Sequence, residues 1–127
     1  MSPVQRAITG VALSFSLGEE LSILREELDA AGERVGRTIL KNGPLRVTLV
    51  GLKAGGTLRS HRADGPITIH VVEGAIDFEV GGTVWPLPAG TLFSLEAGLP
   101  HSVTSADGGI FLLTVVAMPV DRSAGEA

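Results

Sequence analysis

Residues 55–74 read Gly-Gly-Thr-Leu-Arg-Ser-His-Arg-Ala-Asp-Gly-Pro-Ile-Thr-Ile-His-Val-Val-Glu-Gly. This stretch holds two of the three histidines of the chain, His61 and His70, and the third is His101. Two runs typical of β-strands, 57–62 and 67–73, flank residues 63–66, where Gly and Pro favour a chain reversal. The stretch is therefore predicted to form a β-hairpin.

The alternation of apolar and polar residues continues on both sides of this stretch. Turn sequences such as Asn42-Gly43-Pro44, Gly81-Gly82 and Asp107-Gly108-Gly109 separate the runs. Many short strands at close and regular spacing predict an antiparallel sandwich or barrel. The further predicted strands are 35–41, 45–49, 75–80, 84–87, 91–95, 101–105 and 110–118.

A single helix is predicted before the strands. Ser16 and Glu19 have the spacing of a capping box, which satisfies free N–H groups at a helix start. An apolar stripe with helical spacing follows, and Gly32 is placed as a C-cap. The stripe consists of Leu17, Leu21, Leu24, Leu28 and Ala31. For residues 1–15 the sequence does not decide between a short strand and an arm packed on a neighbour.

Composition excludes several classes of function. The 127 residues suffice for one domain with a real core, and the chain contains no Cys and no Tyr. A disulfide framework, a Cys nucleophile and phenolic acid–base chemistry are thereby excluded. The net charge is −4, and no run of basic residues suggests nucleic-acid binding. No apolar run approaches the roughly 18 residues of a membrane span, so we expect a cytoplasmic protein.

The order of the glycines and histidines resembles the two sequence motifs of the cupins. The first is matched by Gly55, His61 and Gly74, and the second by residues 87–90 and 97–101. The resemblance covers roughly residues 45–116. It implies an antiparallel jelly-roll β-barrel with one N-terminal α-helix, a site inside the barrel mouth, and a homodimer. The expected organisation is an arm and helix over 1–34, the barrel over 35–118 and a flexible tail over 119–127.

The chain departs from the metal-binding cupins in its first motif. In those cupins the first motif supplies two His one residue apart and a Glu, and the second supplies a third His. His61 and His101 match two of these positions, whereas Ala63 stands for the second His and Ile67 for the Glu. Two of the four ligands are therefore missing.

His70 could replace one of them, depending on the register of the predicted hairpin. With a four-residue reversal His61 faces His70 across the strands, with Cβ atoms about 5 Å apart, and both rings enter the barrel. With a three-residue reversal His61 faces Ile69 and His70 points to the other side. The position of the usual Glu favours the second register, and a polar ligand-holding interior favours the first.

The first register predicts a metal centre. His61, His70 and His101 would then bind a divalent ion (Zn, Fe, Ni, Cu or Mn) with open positions for a substrate. Arg59 and Thr68 are candidate substrate-binding residues. Arg62 and Asp64 near the reversal could also line the mouth and hold an anionic substrate. The alternative is that His61 and His101 are hydrogen-bonded polar residues of a barrel that binds no metal, and that His70 lies on the surface or at a dimer interface.

Two functions follow from these alternatives. The first is a cupin that binds a small molecule at a histidine-held metal, with possible oxygenase, isomerase or lyase activity and no assignable catalytic residue. The second is a metal-free binding or sensing module without catalysis. In that module the apolar interior of Ile67, Ile69 and Val71 would hold an apolar effector.

Overall fold

A computed structural model of the chain describes residues 6–117. These residues form one helix followed by eight strands. The elements are α1 (Leu17–Ala31), β1 (Arg34–Asn42), β2 (Leu45–Leu52), β3 (Gly56–His61), β4 (Ile67–Val80), β5 (Thr83–Pro88), β6 (Leu92–Leu95), β7 (His101–Ser105) and β8 (Gly109–Val116). Every strand pair is antiparallel. The mainly β architecture with one N-terminal helix is confirmed.

The strands form a curled sheet in the order β1-β2-β8-β4-β7-β3, with β5 and β6 also paired to β4. The long strand β4 belongs to both layers of the barrel. Its first half pairs with β6 and β8, and its second half pairs with β5 and β7. Gly74 lies between the two halves and has φ +69°. A Cβ atom at Gly74 would lie 2.3 Å from the carbonyl oxygen of Gly108, so this corner requires glycine.

The predicted β-hairpin over residues 55–74 is wrong. Strand β3 pairs with β7, whereas the first half of β4 pairs with β8 and β6. Residues 62–66 therefore connect the two layers rather than closing a hairpin, and neither proposed register arises. Local turn signals indicate that the chain reverses, but they do not show whether the two strands bond to each other. The hairpin predicted at Gly81-Gly82 is present, with Val80 opposite Thr83.

Helix α1 packs on the outer face of the barrel. Ser16 caps it by accepting a 3.2 Å hydrogen bond from the Glu19 backbone N–H, as the sequence predicted. Leu24, a member of the apolar stripe, is fully buried and packs with Val47 and Leu49 of β2. The apolar face of β2 thus meets the helix. Its mixed face, which includes Arg46, Thr48 and Val50, turns toward the barrel interior.

The barrel interior forms a separate apolar cluster. Its largest fully buried members are Phe78 of β4 and Phe111 of β8. Ile67, Ile69 and Val71 pack among them with at most 3% of their surface exposed. This part of the interior is therefore filled by the protein's own side chains.

Of the predicted arm, residues 1–5 lie outside the described residues. Residues 6–15 contact their own chain at Lys41, whose N–H donates a 2.7 Å hydrogen bond to the Ile8 carbonyl. The tail predicted to be flexible, 119–127, lies outside the described residues. Within the part of the chain that the structure describes, no helix has the length and apolar character needed to cross a bilayer.

Candidate functional site

His61 and His101 meet at the mouth of the barrel. They lie opposite each other where β3 pairs with β7. Their rings contact edge to face, with centroids 4.3 Å apart and an interplanar angle of 64°. A register shift between Leu58 and His61 precedes the pair, and such a bulge re-aims the side chain that follows it. Two residues 40 positions apart in the sequence thus form one polar unit.

The protein backbone holds both rings in the same way. Nδ1 of His61 lies 2.9 Å from the carbonyl oxygen of Arg59, and Nδ1 of His101 lies 3.0 Å from that of Leu99. A carbonyl oxygen only accepts, so each neutral ring carries its proton on Nδ1. The lone pair of each ring is then on Nε2. The pair offers two hydrogen-bond acceptors when both rings are neutral.

The environment of His101 favours the neutral ring. His101 is 4% exposed, and its ring stacks on Phe78 with centroids 5.0 Å apart and an angle of 18°. Burial lowers the pKa of His101 below its ordinary value; the hydrogen bond to Leu99 opposes this shift, and the charge of a protonated His61 adds to it. His101 is therefore an acceptor at neutral pH.

A cavity of about 260 Å³ opens beside the pair. Its wall is formed by side chains of β2, β4, β8 and the 62–66 connection. Behind the pair, a void of about 30 Å³ lies among Phe78, Val103 and Phe111, which is room for about one or two water molecules. A ligand that meets both histidines therefore sits in the mouth and not deep in the barrel. The mouth is lined by Arg46, Thr48, His61, Arg62, Ala63, Asp64, Ile67, His101, Leu113, Val115 and Ala117.

A larger groove of about 720 Å³ runs between α1 and the opposite end of the barrel. Its basic groups are already bonded within the protein. Arg25 is ion-paired with Glu73, and Lys53 donates to the Asp29 carbonyl. No histidine lines this groove, so the mouth cavity is the better candidate for the site.

The model of the family described as Cupin domain matches residues 48–116. The chain belongs to the cupin family. The match covers the strands β3 to β8 and most of β2, and it includes both histidines of the pair. The jelly-roll barrel inferred from the two motifs is thus confirmed for this cupin.

Solved structures of other proteins share its fold. A conserved protein of unknown function from Streptococcus pyogenes is 20% identical over 71% of this chain and 79% of its own, with a TM-score of 0.65. An RmlC-like cupin from Desulfovibrio desulfuricans is 25% identical over 67% and 83%, with a TM-score of 0.62. A cupin superfamily protein from Desulfitobacterium hafniense is 11% identical over 69% and 83%, with a TM-score of 0.66. No curated protein matches the sequence of this cupin.

The structure does not bring His70 to the other two histidines. His70 is exposed and lies between the buried residues Ile69 and Val71, and its cross-strand partner Leu92 is 68% exposed. Because side chains alternate along a strand, His70 points away from the interior. The three-histidine arrangement is therefore not formed, and the prediction that His70 completes the site is corrected.

Thr68 lies on the same outer face as His70. Its partners across the strands are Ser94 and Thr114, and it lines a shallow surface depression rather than the mouth. Arg59 has an exposed side chain that does not line the mouth cavity. Its backbone carbonyl nevertheless orients His61. Neither candidate substrate-binding side chain reaches the pair.

Arg62 and Asp64 do line the mouth, as the sequence suggested. Arg46 and Thr48 of β2 line it as well, and sequence reasoning missed them. The signal was their alternation with Leu45, Val47 and Leu49. That pattern separates two faces of β2 but does not say that the helix covers the apolar one.

The donor atoms present do not fit a resident metal ion. Among residues 6–117, no three His, Cys, Asp or Glu side chains come together as a group that could hold a metal. Protein metal sites of the kind expected here use at least three protein ligands, such as three His or two His and a carboxylate. His61 and His101 supply two, and the motif positions of the other ligands hold Ala63 and Ile67.

Proposed function

We propose that this cupin is a metal-free binding module for a small molecule that lies in the barrel mouth against His61 and His101. The observation that supports it best is the fixed orientation of both rings. Each Nδ1 is bonded to a backbone carbonyl, so each Nε2 is left for a ligand. Pockets for small molecules are largely apolar and contain a few fixed polar groups, and the mouth has this composition.

The proposed ligand carries a hydroxyl or N–H group that donates to the pair. Its body lies on the apolar wall formed by Ile67, Leu113 and Val115. The cavity of about 260 Å³ is slightly below the range typical of drug-sized ligands, so a metabolite-sized molecule fits better. An apolar effector enclosed deeper in the barrel is disfavoured, because the space behind the pair is about 30 Å³.

Binding of phenol tests the proposed acceptor pair. Phenol carries one hydroxyl donor on an apolar ring, whereas anisole has the same ring without the donor. We expect phenol to shift the ring NMR signals of His61 and His101 more strongly than anisole does. His61→Gln and His101→Gln should each weaken binding several-fold, because the hydrogen bond from the ligand is lost or misplaced. His70→Gln is the matched control, since His70 lies on the outer face.

Two results would reject this function. One is equal binding of phenol by the His101→Gln and His70→Gln variants. The other is about one equivalent of Zn, Fe, Ni, Cu or Mn in protein purified without an affinity tag, together with a lower Tm after chelation. A metal-free site predicts that the Tm does not respond to chelator, because nothing that binds the folded state is removed.

The homodimer implied by the family resemblance stays a proposal. Leu92 is 68% exposed on the outer face that also carries His70, which agrees with a covered face there. Sedimentation equilibrium of the full chain tests it, and a single monomeric mass at micromolar concentration would reject it.

A further inference from the structure

The mouth cavity is lined by both polar and apolar side chains. His61 and His101 are among the polar ones, and Leu113 and Val115 form part of the apolar wall. Arg46 of β2 and Arg62 of the 62–66 connection line the same cavity. Since Arg46 lies opposite Val115 in the β2–β8 pair, its guanidinium borders the apolar wall.

The two mouth arginines differ from most arginines of this protein. Within residues 6–117, Arg6, Arg25 and Arg37 are bonded to carboxylates, and Arg34 donates to the Thr57 carbonyl. Arg46 and Arg62 have no hydrogen-bond or ion-pair partner among these residues, and both are exposed. Their donor groups are therefore free for a ligand.

The charge at the mouth is opposite in sign to that of the whole chain. The chain has a net charge of −4, but two guanidinium groups and one carboxylate, that of Asp64, line the cavity. A locally positive cleft attracts anions despite an acidic protein, because the nearby charges dominate the potential there. Guanidinium groups bind carboxylates with two parallel hydrogen bonds, which gives both affinity and orientation.

We propose that the ligand is a small organic acid whose carboxylate binds Arg46 and Arg62 while a hydroxyl at its other end donates to the His61–His101 pair. This inference rests on the proposed function and adds the chemical class of the ligand. The apolar wall of the cavity, which includes Leu113 and Val115, selects a short hydrocarbon or aromatic body. Asp64 lowers affinity for such an acid, because its carboxylate has the same charge as the ligand.

Matched acid and amide probes test the ligand class. We use 4-hydroxybenzoate with 4-hydroxybenzamide, and 4-hydroxybutanoate with 4-hydroxybutanamide. Each pair keeps the hydroxyl and the body and differs in the charge of one end. NMR titrations of the full chain at low salt give the Kd values. For at least one pair the acid should bind about tenfold more tightly than the amide, as a charge-assisted contact implies.

Three variants assign the effect to the mouth. Arg46→Gln and Arg62→Gln should each reduce the preference for the acid severalfold. Arg59→Gln should leave it unchanged, because the Arg59 side chain is also exposed but lies off the cavity, and the backbone carbonyl that orients His61 is kept. Asp64→Asn should increase it. The opposite directions of these changes separate a local charge effect from loss of folding.

The outcomes distinguish this inference from the proposed function. Equal Kd values for acid and amide in both pairs, with shifts at the two histidines, overturn the organic acid and leave the binding module. An acid preference that Arg59→Gln reduces as much as Arg62→Gln also overturns it. If no probe, including phenol, shifts the histidine signals, the proposed function fails as well.

Discussion

The edge-to-face contact between His61 and His101, with ring centroids 4.3 Å apart, joins the neighbouring strands β3 and β7 of one layer. One ring belongs to β3 and is exposed, and the other belongs to β7 and is buried. Both rings are fixed through Nδ1 by the carbonyl two residues before them. The pair is therefore organised before a ligand arrives, which reduces the entropy lost on binding.

The stability of the protein should depend on pH through His101. Its pKa is lowered in the folded state, mainly by burial, so the unfolded chain takes up a proton first as the pH falls. The stability from this residue is complete above the ordinary pKa of about 6.5 and declines below it. Urea unfolding between pH 7.5 and 5 should show wild type losing more stability than His101→Gln. A constant difference between the two proteins across this range would contradict the prediction.

Phe78 should control the protonation of His101. Its ring stacks on the imidazole at 5.0 Å and is fully buried. Phe78→Leu should raise the pKa of His101 toward its ordinary value, because water reaches the ring, and should cost on the order of 1 kcal/mol of stability. NMR titration of the His101 ring measures the change. Phe93→Leu is the control, since Phe93 contacts Phe78 at 4.9 Å but makes no ring contact with His101 in the described structure.

Glu20 should stabilise the arm and helix through its charge. Its carboxylate is buried and accepts hydrogen bonds from Arg6 at 2.9 Å and Arg37 at 3.1 Å. The bond from Arg6 lowers the pKa of Glu20, burial opposes this, and Arg37 adds to the lowering. Glu20→Gln should therefore cost about 2 kcal/mol near neutral pH.

The cost of Glu20→Gln should shrink in acid. A carboxyl with a lowered pKa stabilises the fold above its ordinary value, and this contribution is lost as the pH falls and the group is protonated. Urea unfolding at pH 7 and pH 3 checks this. Glu26→Gln on the exposed face of α1 should change stability little at either pH. An equal loss for both variants would show that the Glu20 ion pairs do not matter.

Gly74 should tolerate no side chain, whereas Gly81 should tolerate one. Both have positive φ, +69° and +57°. A Cβ at Gly74 would be 2.3 Å from the Gly108 oxygen, and one at Gly81 would have no atom within 4 Å. Gly81→Ala should cost about 1 kcal/mol for the left-handed backbone, and Gly74→Ala more than about 3 kcal/mol. Thermal unfolding of both variants measures the difference, and similar Tm values would contradict a steric role for the corner.

The sequence alone determined the local structure and the family. The Ser16 cap, the stripe containing Leu24, and the turn at Gly81-Gly82 depend on neighbours a few residues away, and the structure confirms them. The motif glycines and His61 and His101 have a fixed order, which sequence reasoning could match to the cupins. Composition also excluded Cys chemistry, because no fold can supply a missing residue.

Only the tertiary structure decided which side chains share the mouth. Turn signals could not show that β3 pairs with β7 instead of β4, because strand pairing depends on segments distant in the chain. The alternation of apolar and polar residues assigns His70 to one face of β4 and Arg46 to one face of β2. Which face of each strand points into the barrel depends on the elements that pack against the other face. Helix α1 covers the apolar face of β2 and turns Arg46 inward, while burial of Ile69 and Val71 turns His70 outward.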